Sequence, residues 1–284
     1  MTRAALVLLA LGIGAAVLGA CTVGGLQGPT LATTSPAGAP EYVPIQIQKP
    51  DGAGPFPAIV IMHDCSGLGP RSSGAPGRWA TELVGRGYVV MLPDSFTTRG
   101  FPGGVCTNPS PRRADVGPSR RVSDAYASLA HLRTLPFVDG SRVGLMGGSH
   151  GGATTLATMA APSASPGFRA AVALYPGCAQ WLRSGEPYRP AGPLLILIGE
   201  KDDWTPAEPC RQLTEAAQTA GAPMTIKIYP GAYHSFDSAN PVRFVETRVN
   251  ASSPTGRGAT TGGDPEAWAD SIREVVAFFG RNLK

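Results

Sequence analysis

Six short apolar runs, rich in β-branched residues, punctuate the chain: PAIVIM (57–62), YVVML (88–92), RVGLMG (142–147), AAVALYP (170–176), PLLILIG (193–199) and MTIKIYP (224–230). Continuous runs of this kind suit strands buried on both faces, because a solvated face would impose a polar residue at every second position. Between them lie GRWATELVGRG, SRRVSDAYASLAHLRTL, the segment after Ser149, PAEPCRQLTEAAQTAG and DPEAWADSIREVVAFFGRNL, all with helical spacing. Several open at Ser, Asp or Pro and close near Gly, as helices do. Strand and helix in alternation over residues 42–282 predict a single α/β domain, a mostly parallel sheet with helices on both faces. Neither an internal repeat nor a second domain is expected. In an open parallel sheet the chemistry gathers beyond the carboxyl ends of the strands.

Composition narrows the classes. With 284 residues and 43% hydrophobic content, the chain can bury a sizeable core. Glycine and proline are abundant, at 37 and 28, but they fall between regularly spaced apolar runs and so mark turns rather than disorder. The net charge is only +4 and no Lys/Arg-rich block occurs, which argues against a nucleic-acid partner.

The amino terminus reads as a processing segment. Arg3 precedes an apolar stretch from Ala4 to Ala20 that is short for a membrane span and suited to a signal-peptide core. It ends in Leu18-Gly19-Ala20-Cys21, which resembles a bacterial lipobox, where the cysteine thiol is lipidated and becomes the first mature residue. An ordinary secretory signal with a nearby cysteine is the alternative. Residues 21–41 are Gly-, Pro-, Thr- and Ala-rich and read as a flexible tether. The expected organisation is a signal peptide over 1–20, the tether over 21–41 and the α/β domain over 42–284. Such a protein would be exported, membrane-anchored through Cys21 and monomeric.

Four further cysteines remain: Cys65, Cys106, Cys178 and Cys210. An even number in an exported chain, with no CxxC pair, favours disulfides over metal ligands. Cys178 with Cys210 is the favoured pair, since each lies just past a strand end or at the adjacent helix start. Cys65 with Cys106 then follows by default, and buried free thiols are the alternative.

The run RVGLMG leads directly into GSHGGATTLATMA. Gly147-Gly148-Ser149-His150-Gly151 therefore sits at a strand-to-helix turn and fits G-x-S-x-G, the nucleophile elbow. Glycines make room there for strand and helix to pass closely, while the serine is pushed out above the sheet in a strained conformation. Its hydroxyl needs a base and a group to orient that base. Of the four histidines, His131 falls inside a helix and His150 is locked beside the serine, whereas His234 follows the last strand in YPGAYHSFD. The orienting acid should come from the loop EKDDWTP, with Asp202 at the turn and Asp203 as the alternative, which could instead cap the next helix. The backbone amides of His150 and of Cys65, in HDCSGLG, are the expected oxyanion donors. His63 and Asp64 would sit at the pocket edge, His63 being equally readable as a buried, satisfied core residue. Trp204 and Arg99 complete the expected substrate-binding side chains. In DSFTTRG, Arg99 follows a strand end, and its guanidinium would favour anionic or strongly polar acyl groups beside an apolar wall formed by Phe96.

Taken together, IVIMHDCSGL, MGGSHGG, LIGEKDDWTP and YPGAYHSFD resemble the dienelactone hydrolase family of α/β-hydrolases over roughly residues 42–282. The resemblance implies the α/β-hydrolase fold, a triad of Ser149, Asp202 and His234, and Asp64 at the place of the family's active-site glutamate. Founding members carry a cysteine nucleophile and are cytoplasmic. Ser149 and the export signal therefore turn the expectation from dienelactone itself to a general ester or lactone hydrolase. Acyl transfer of this kind needs no metal or organic cofactor. A peptidase of the same fold and a non-catalytic binding protein that kept the fold are the competing functional readings.

Overall fold

A computed structural model describes residues 29–160, 167–183 and 185–283. The lipobox-like segment and Cys21 lie outside the described residues.

Eight strands form one sheet: β1 (Thr30–Thr34), β2 (Pro40–Gln48), β3 (Phe56–Met62), β4 (Val89–Pro93), β5 (Val138–Gly148), β6 (Ala171–Leu174), β7 (Leu194–Gly199) and β8 (Met224–Tyr229). Their order is β1-β2-β4-β3-β5-β6-β7-β8. From β4 across to β8 every pairing is parallel, whereas β1 and β2 add an antiparallel edge. Every residue of β4, β6 and β7 is buried, as strands covered on both faces require. The order reverses around β3, and the segments leaving β3, β5 and β7 at their carboxyl ends meet above the centre of the sheet.

The covering helices are α1 (Ala75–Val84), α2 (Val122–Leu132), α3 (His150–Ala160), the single turn α4 (Ala179–Leu182), α5 (Ala207–Thr219) and α6 (Pro265–Asn282). Trp79 of α1 packs edge-on against Trp268 of α6, with ring centroids 4.6 Å apart. Strand alternation shows that α6 and α3 lie on opposite faces. A methyl group on Gly144 would meet Phe279 of α6 at 2.7 Å, and one on Gly147, three residues along β5, would meet Gly151 of α3.

Two features depart from the sequence expectation. The tether ends earlier than residue 41, because Thr30–Thr34 pairs with β2 and buries Leu31 and Thr33 on one face. The period-two alternation of TLATT is the signal for that strand, and it was masked by the surrounding Gly, Pro and Thr. A second, two-stranded sheet also forms from β9 (Arg243–Val249) and β10 (Arg257–Thr261), inserted between the His234 loop and α6. Disulfides join Cys65 to Cys106 and Cys178 to Cys210.

Candidate active site

Ser149 stands between the last residue of β5 and the first of α3 with φ of 53°, a left-handed conformation that a non-glycine residue adopts only when its surroundings enforce it. Those surroundings are four glycines without room for side chains. A methyl group on Gly151 would stand 1.9 Å from the Met62 carbonyl oxygen, and one on Gly147 would stand 2.4 Å from the Gly151 carbonyl oxygen. On Gly152 it would approach the Leu174 carbonyl oxygen to 2.7 Å, and on Gly148 the Tyr175 hydroxyl to 2.7 Å. Helix α3 therefore starts in direct backbone contact with β3 and β6, and its first amides point past Ser149.

Ser149 Oγ lies 2.8 Å from Nε2 of His234. The other ring nitrogen, Nδ1, donates to Oδ2 of Asp202 at 2.8 Å. That tautomer leaves Nε2 free to accept the serine proton. Asp202 is buried and is itself fixed, since its Oδ1 accepts the amides of Trp204 at 3.0 Å and Thr205 at 2.8 Å. Asp203 does something else: its carboxylate accepts the Thr260 amide and hydroxyl at 2.8 and 2.7 Å, anchoring β10 to the acid loop. The acid loop thus offers two adjacent carboxylates, of which Asp202 reaches the imidazole and Asp203 holds the hairpin.

Aromatic rings wall the imidazole. Tyr175 packs on one side, with centroids 4.7 Å apart, and Trp204 on another at 4.8 Å. Trp204 is held by donating Nε1–H to the Val249 carbonyl, and the Arg248 guanidinium lies 5.2 Å from its ring. The Val249 amide in turn donates to the Cys106 carbonyl, so the inserted hairpin links the acid loop to the disulfide loop. A backbone bridge pairs His234 with Thr261, and the Gly262 amide donates to the His234 carbonyl. The hairpin, which sequence reasoning missed, therefore supports Asp203, Trp204 and His234 together.

Beneath the elbow lies a second missed group. Buried Asp237, three residues after His234, accepts the Tyr175 hydroxyl at 2.6 Å and Trp79 Nε1–H at 2.8 Å. Burial pushes its carboxyl up from the ordinary range despite these donors, and pushes the Tyr175 phenol well up. The HSFD segment carried the signal, in an acidic residue one turn beyond the histidine.

The loop after β3 brings Cys65 to the site. Asp64 is buried, and its carboxylate accepts the Ser66 amide and the hydroxyls of Ser66 and Ser73. Among the described residues, neither the Cys65 amide nor the His150 amide donates to a protein acceptor. Asp64, Cys65 and Cys106 form a cluster of potential metal donors, but the two sulfurs are bonded to each other and supply no thiolates.

Two expected pocket residues lie elsewhere. Arg99 does not face the site: Nη1 and Nη2 donate to the two Asp124 oxygens at 2.7 and 2.8 Å, Nε donates to Glu41 at 2.8 Å, and Nη1 also reaches the Ser95 carbonyl. It clamps β2 to α2, and a guanidinium so fully engaged has nothing to offer a substrate. Burial works against its charge, but these carboxylates outweigh it and raise its pKa. His63 is wholly buried rather than at the pocket edge. Its Nδ1–H donates to the Asp64 carbonyl, its Nε2 accepts the Ser95 amide, and burial followed by the nearby Arg121 charge keeps it neutral well below pH 6.5.

Residues 44–283 match the dienelactone hydrolase family. The chain belongs to that family. A Synechocystis sp. protein provisionally named a carboxymethylenebutenolidase is 24% identical over 84% of this chain and 91% of its own length. Among solved structures, esterase 2 of Thermogutta terrifontis, phosphonylated by cyclosarin, superposes with a TM-score of 0.61 at 20% identity, covering 89% of this chain and 94% of that one. A dienelactone hydrolase-like promiscuous phosphotriesterase from metagenomic libraries gives 0.63 at 19% identity, covering 90% and 98%. This member of the dienelactone hydrolase family thus has the α/β-hydrolase fold and is a hydrolase of that fold.

Proposed function

We propose that the protein is a serine hydrolase that cleaves carboxylic esters or lactones by acyl transfer. The observation that carries this reading is the line from Ser149 through His234 to Asp202, with both hydrogen bonds at 2.8 Å. His234 Nε2 takes the proton as Ser149 Oγ attacks the ester carbonyl, and Asp202 stabilises the imidazolium that forms. The carbonyl π electrons move to oxygen, and the amides of Cys65 and His150 hold that oxyanion. Collapse expels the alcohol, which takes the proton from His234 and leaves an acyl-serine. Water, deprotonated by His234, then attacks the acyl carbonyl and releases the acid and free Ser149.

The relatives add support of a coarser kind, for one is an esterase whose phosphonylated form has been solved and another is a promiscuous phosphotriesterase. The test combines a fluorophosphonate probe with a series of p-nitrophenyl esters. Labelling and hydrolysis are expected for the native protein, and Ser149→Ala should abolish the label and cost at least about three orders of magnitude in turnover. Residual activity above a tenth would refute the assignment.

We further propose export and lipid attachment at Cys21. The Leu18-Gly19-Ala20-Cys21 motif supports this, as do two disulfides, which persist in oxidising compartments. Labelled palmitate should enter the protein in a bacterial host and be lost in Cys21→Ser. A mature chain beginning at any other residue would refute it.

A further inference from the structure

Arg121 immediately precedes α2 and is fully buried, yet among the described residues no carboxylate lies within ion-pair distance of it. Burial lowers its pKa to about 10, partly countered by the more distant charges of Asp124, Asp64 and Asp94, so it remains a cation at neutral pH. An interior guanidinium is costly unless its donors are used. Here only one nitrogen is. Nη1 donates both its hydrogens, to the His63 carbonyl at 2.9 Å and to Nδ1 of His150 at 2.8 Å, while Nε and Nη2 are buried without a hydrogen-bond partner. As packing alone, an apolar side chain would fill this site better. The arrangement makes sense through the two groups that Nη1 joins.

His63 opens the turn that carries the Cys65 amide, and His150 carries the other expected oxyanion donor. A single side-chain nitrogen therefore spans the two halves of the hole, which come from separate strands, and adds a polar tie to the backbone contact of Gly151 with the Met62 and His63 carbonyls. The neighbouring contacts stiffen the same span. Phe96 is packed edge-to-face against His63 at 4.5 Å and His150 at 5.5 Å, with the Arg121 guanidinium 5.0 Å from its ring. Both imidazoles are held neutral and in defined tautomers: His63 donates from Nδ1, and His150 accepts there. On the far side, Cys65 is fixed by its disulfide and by the Val105 amide on its carbonyl.

We propose that Arg121 is a positioning residue of the oxyanion hole, tying the Cys65 loop to His150 so that their two amides converge on one oxygen, and adding positive charge beside it. This rests on the serine-hydrolase reading and extends it to a residue that touches no substrate.

The test compares an oxoester with its thionoester counterpart, because thiocarbonyl sulfur accepts hydrogen bonds poorly and benefits little from an oxyanion hole. In Arg121→Met, kcat for the oxoester should fall about tenfold or more, an order below the cost of deleting a donor outright, while KM and the thionoester rate change by less than about twofold. The oxoester to thionoester ratio should therefore fall about tenfold, and Arg121→Lys should recover part of it. A general loosening of structure would lower both rates together, and equal losses, or none, overturn the proposal. If Arg121→Met does not fold, His150→Phe decides: it keeps a ring against Phe96 while removing the Nδ1 acceptor along with the other ring nitrogen. A several-fold fall in the ratio supports the proposal and an unmoved ratio overturns it. Native protein that hydrolyses neither ester and takes no fluorophosphonate would fail the serine-hydrolase reading itself, and this inference with it. Native activity with an unmoved ratio refutes only the role of Arg121.

Discussion

Gly151 and Met62 are in such close backbone contact that a single added methyl group on Gly151 would come within 1.9 Å of the Met62 carbonyl oxygen and 2.7 Å of that of His63. The obstructing atoms are backbone, so no rotamer can relieve the clash. Gly151→Ala must push α3 away from β3, and since Ser149 immediately precedes α3, stability and geometry suffer together. A loss of about 3 kcal/mol or more in denaturant unfolding is expected, at the upper end for overpacking. Gly77, inside α1 with open space around it, is the control. Gly77→Ala should stabilise by up to about 1 kcal/mol through helix propensity. Similar values for the two substitutions would contradict the tight passage at the elbow.

The adjacent carboxylates of the acid loop should separate cleanly in kinetics. Asp202→Asn removes the acceptor that fixes the His234 tautomer and should lower kcat by about 10⁴ with little change in folding. Asp203→Asn leaves that acceptor intact and weakens the tie to Thr260, so turnover should stay within a few-fold while the melting temperature drops. Exchange of these two outcomes would move the catalytic role to Asp203.

How much of this could be read in advance depends on how local the determinants are. β4, β6 and β7 are buried along their whole length, so their apolar runs announce them, and the elbow is equally legible because Gly147 to Gly152 carry the steric requirement within six residues. β9 and β10 are opaque for the converse reason. RFVETRV is mostly solvent-facing and holds its place through Trp204 and Asp203, some forty to sixty residues away in sequence, so it has little apolar period of its own. Arg99 was misread on the same grounds. A cation after a strand end looks available for substrate, and only the tertiary fold brings Asp124 and Glu41 onto it. Arg121, the last residue of the turn before α2, gives no sequence signal for the His63 carbonyl and the His150 imidazole that converge on it.

The misreading yields a prediction of its own. Arg99→Ala leaves Asp124, which is wholly buried, without its counter-charge, and breaking such a pair typically costs about 3–5 kcal/mol. The variant should therefore be markedly less stable, while the ratio of KM values for a carboxylate-bearing ester and a neutral ester of similar size should remain that of the native protein. A selective rise in KM for the charged ester would return Arg99 to the substrate pocket.

Acid sensitivity follows from two imidazoles beside Arg121, His63 fully buried and His150 partly so. Burial, and after it the charge of Arg121, holds His63 and His150 neutral to well below the ordinary value of 6.5. In the unfolded chain both take up protons near pH 6.5, so below that pH the unfolded state binds more protons than the folded one and stability rises with pH. Their contribution is complete above about pH 7 and is lost as the pH falls, at up to about 1.4 kcal/mol per pH unit for each histidine. Unfolding free energies measured at pH 7.5 and 5.5 should show this slope. His150→Gln offers Arg121 an uncharged acceptor that cannot titrate, and the variant should lose up to half of the slope between those pH values. A slope identical to that of the native protein would mean that His150 takes up its proton in the folded state as readily as in the unfolded chain.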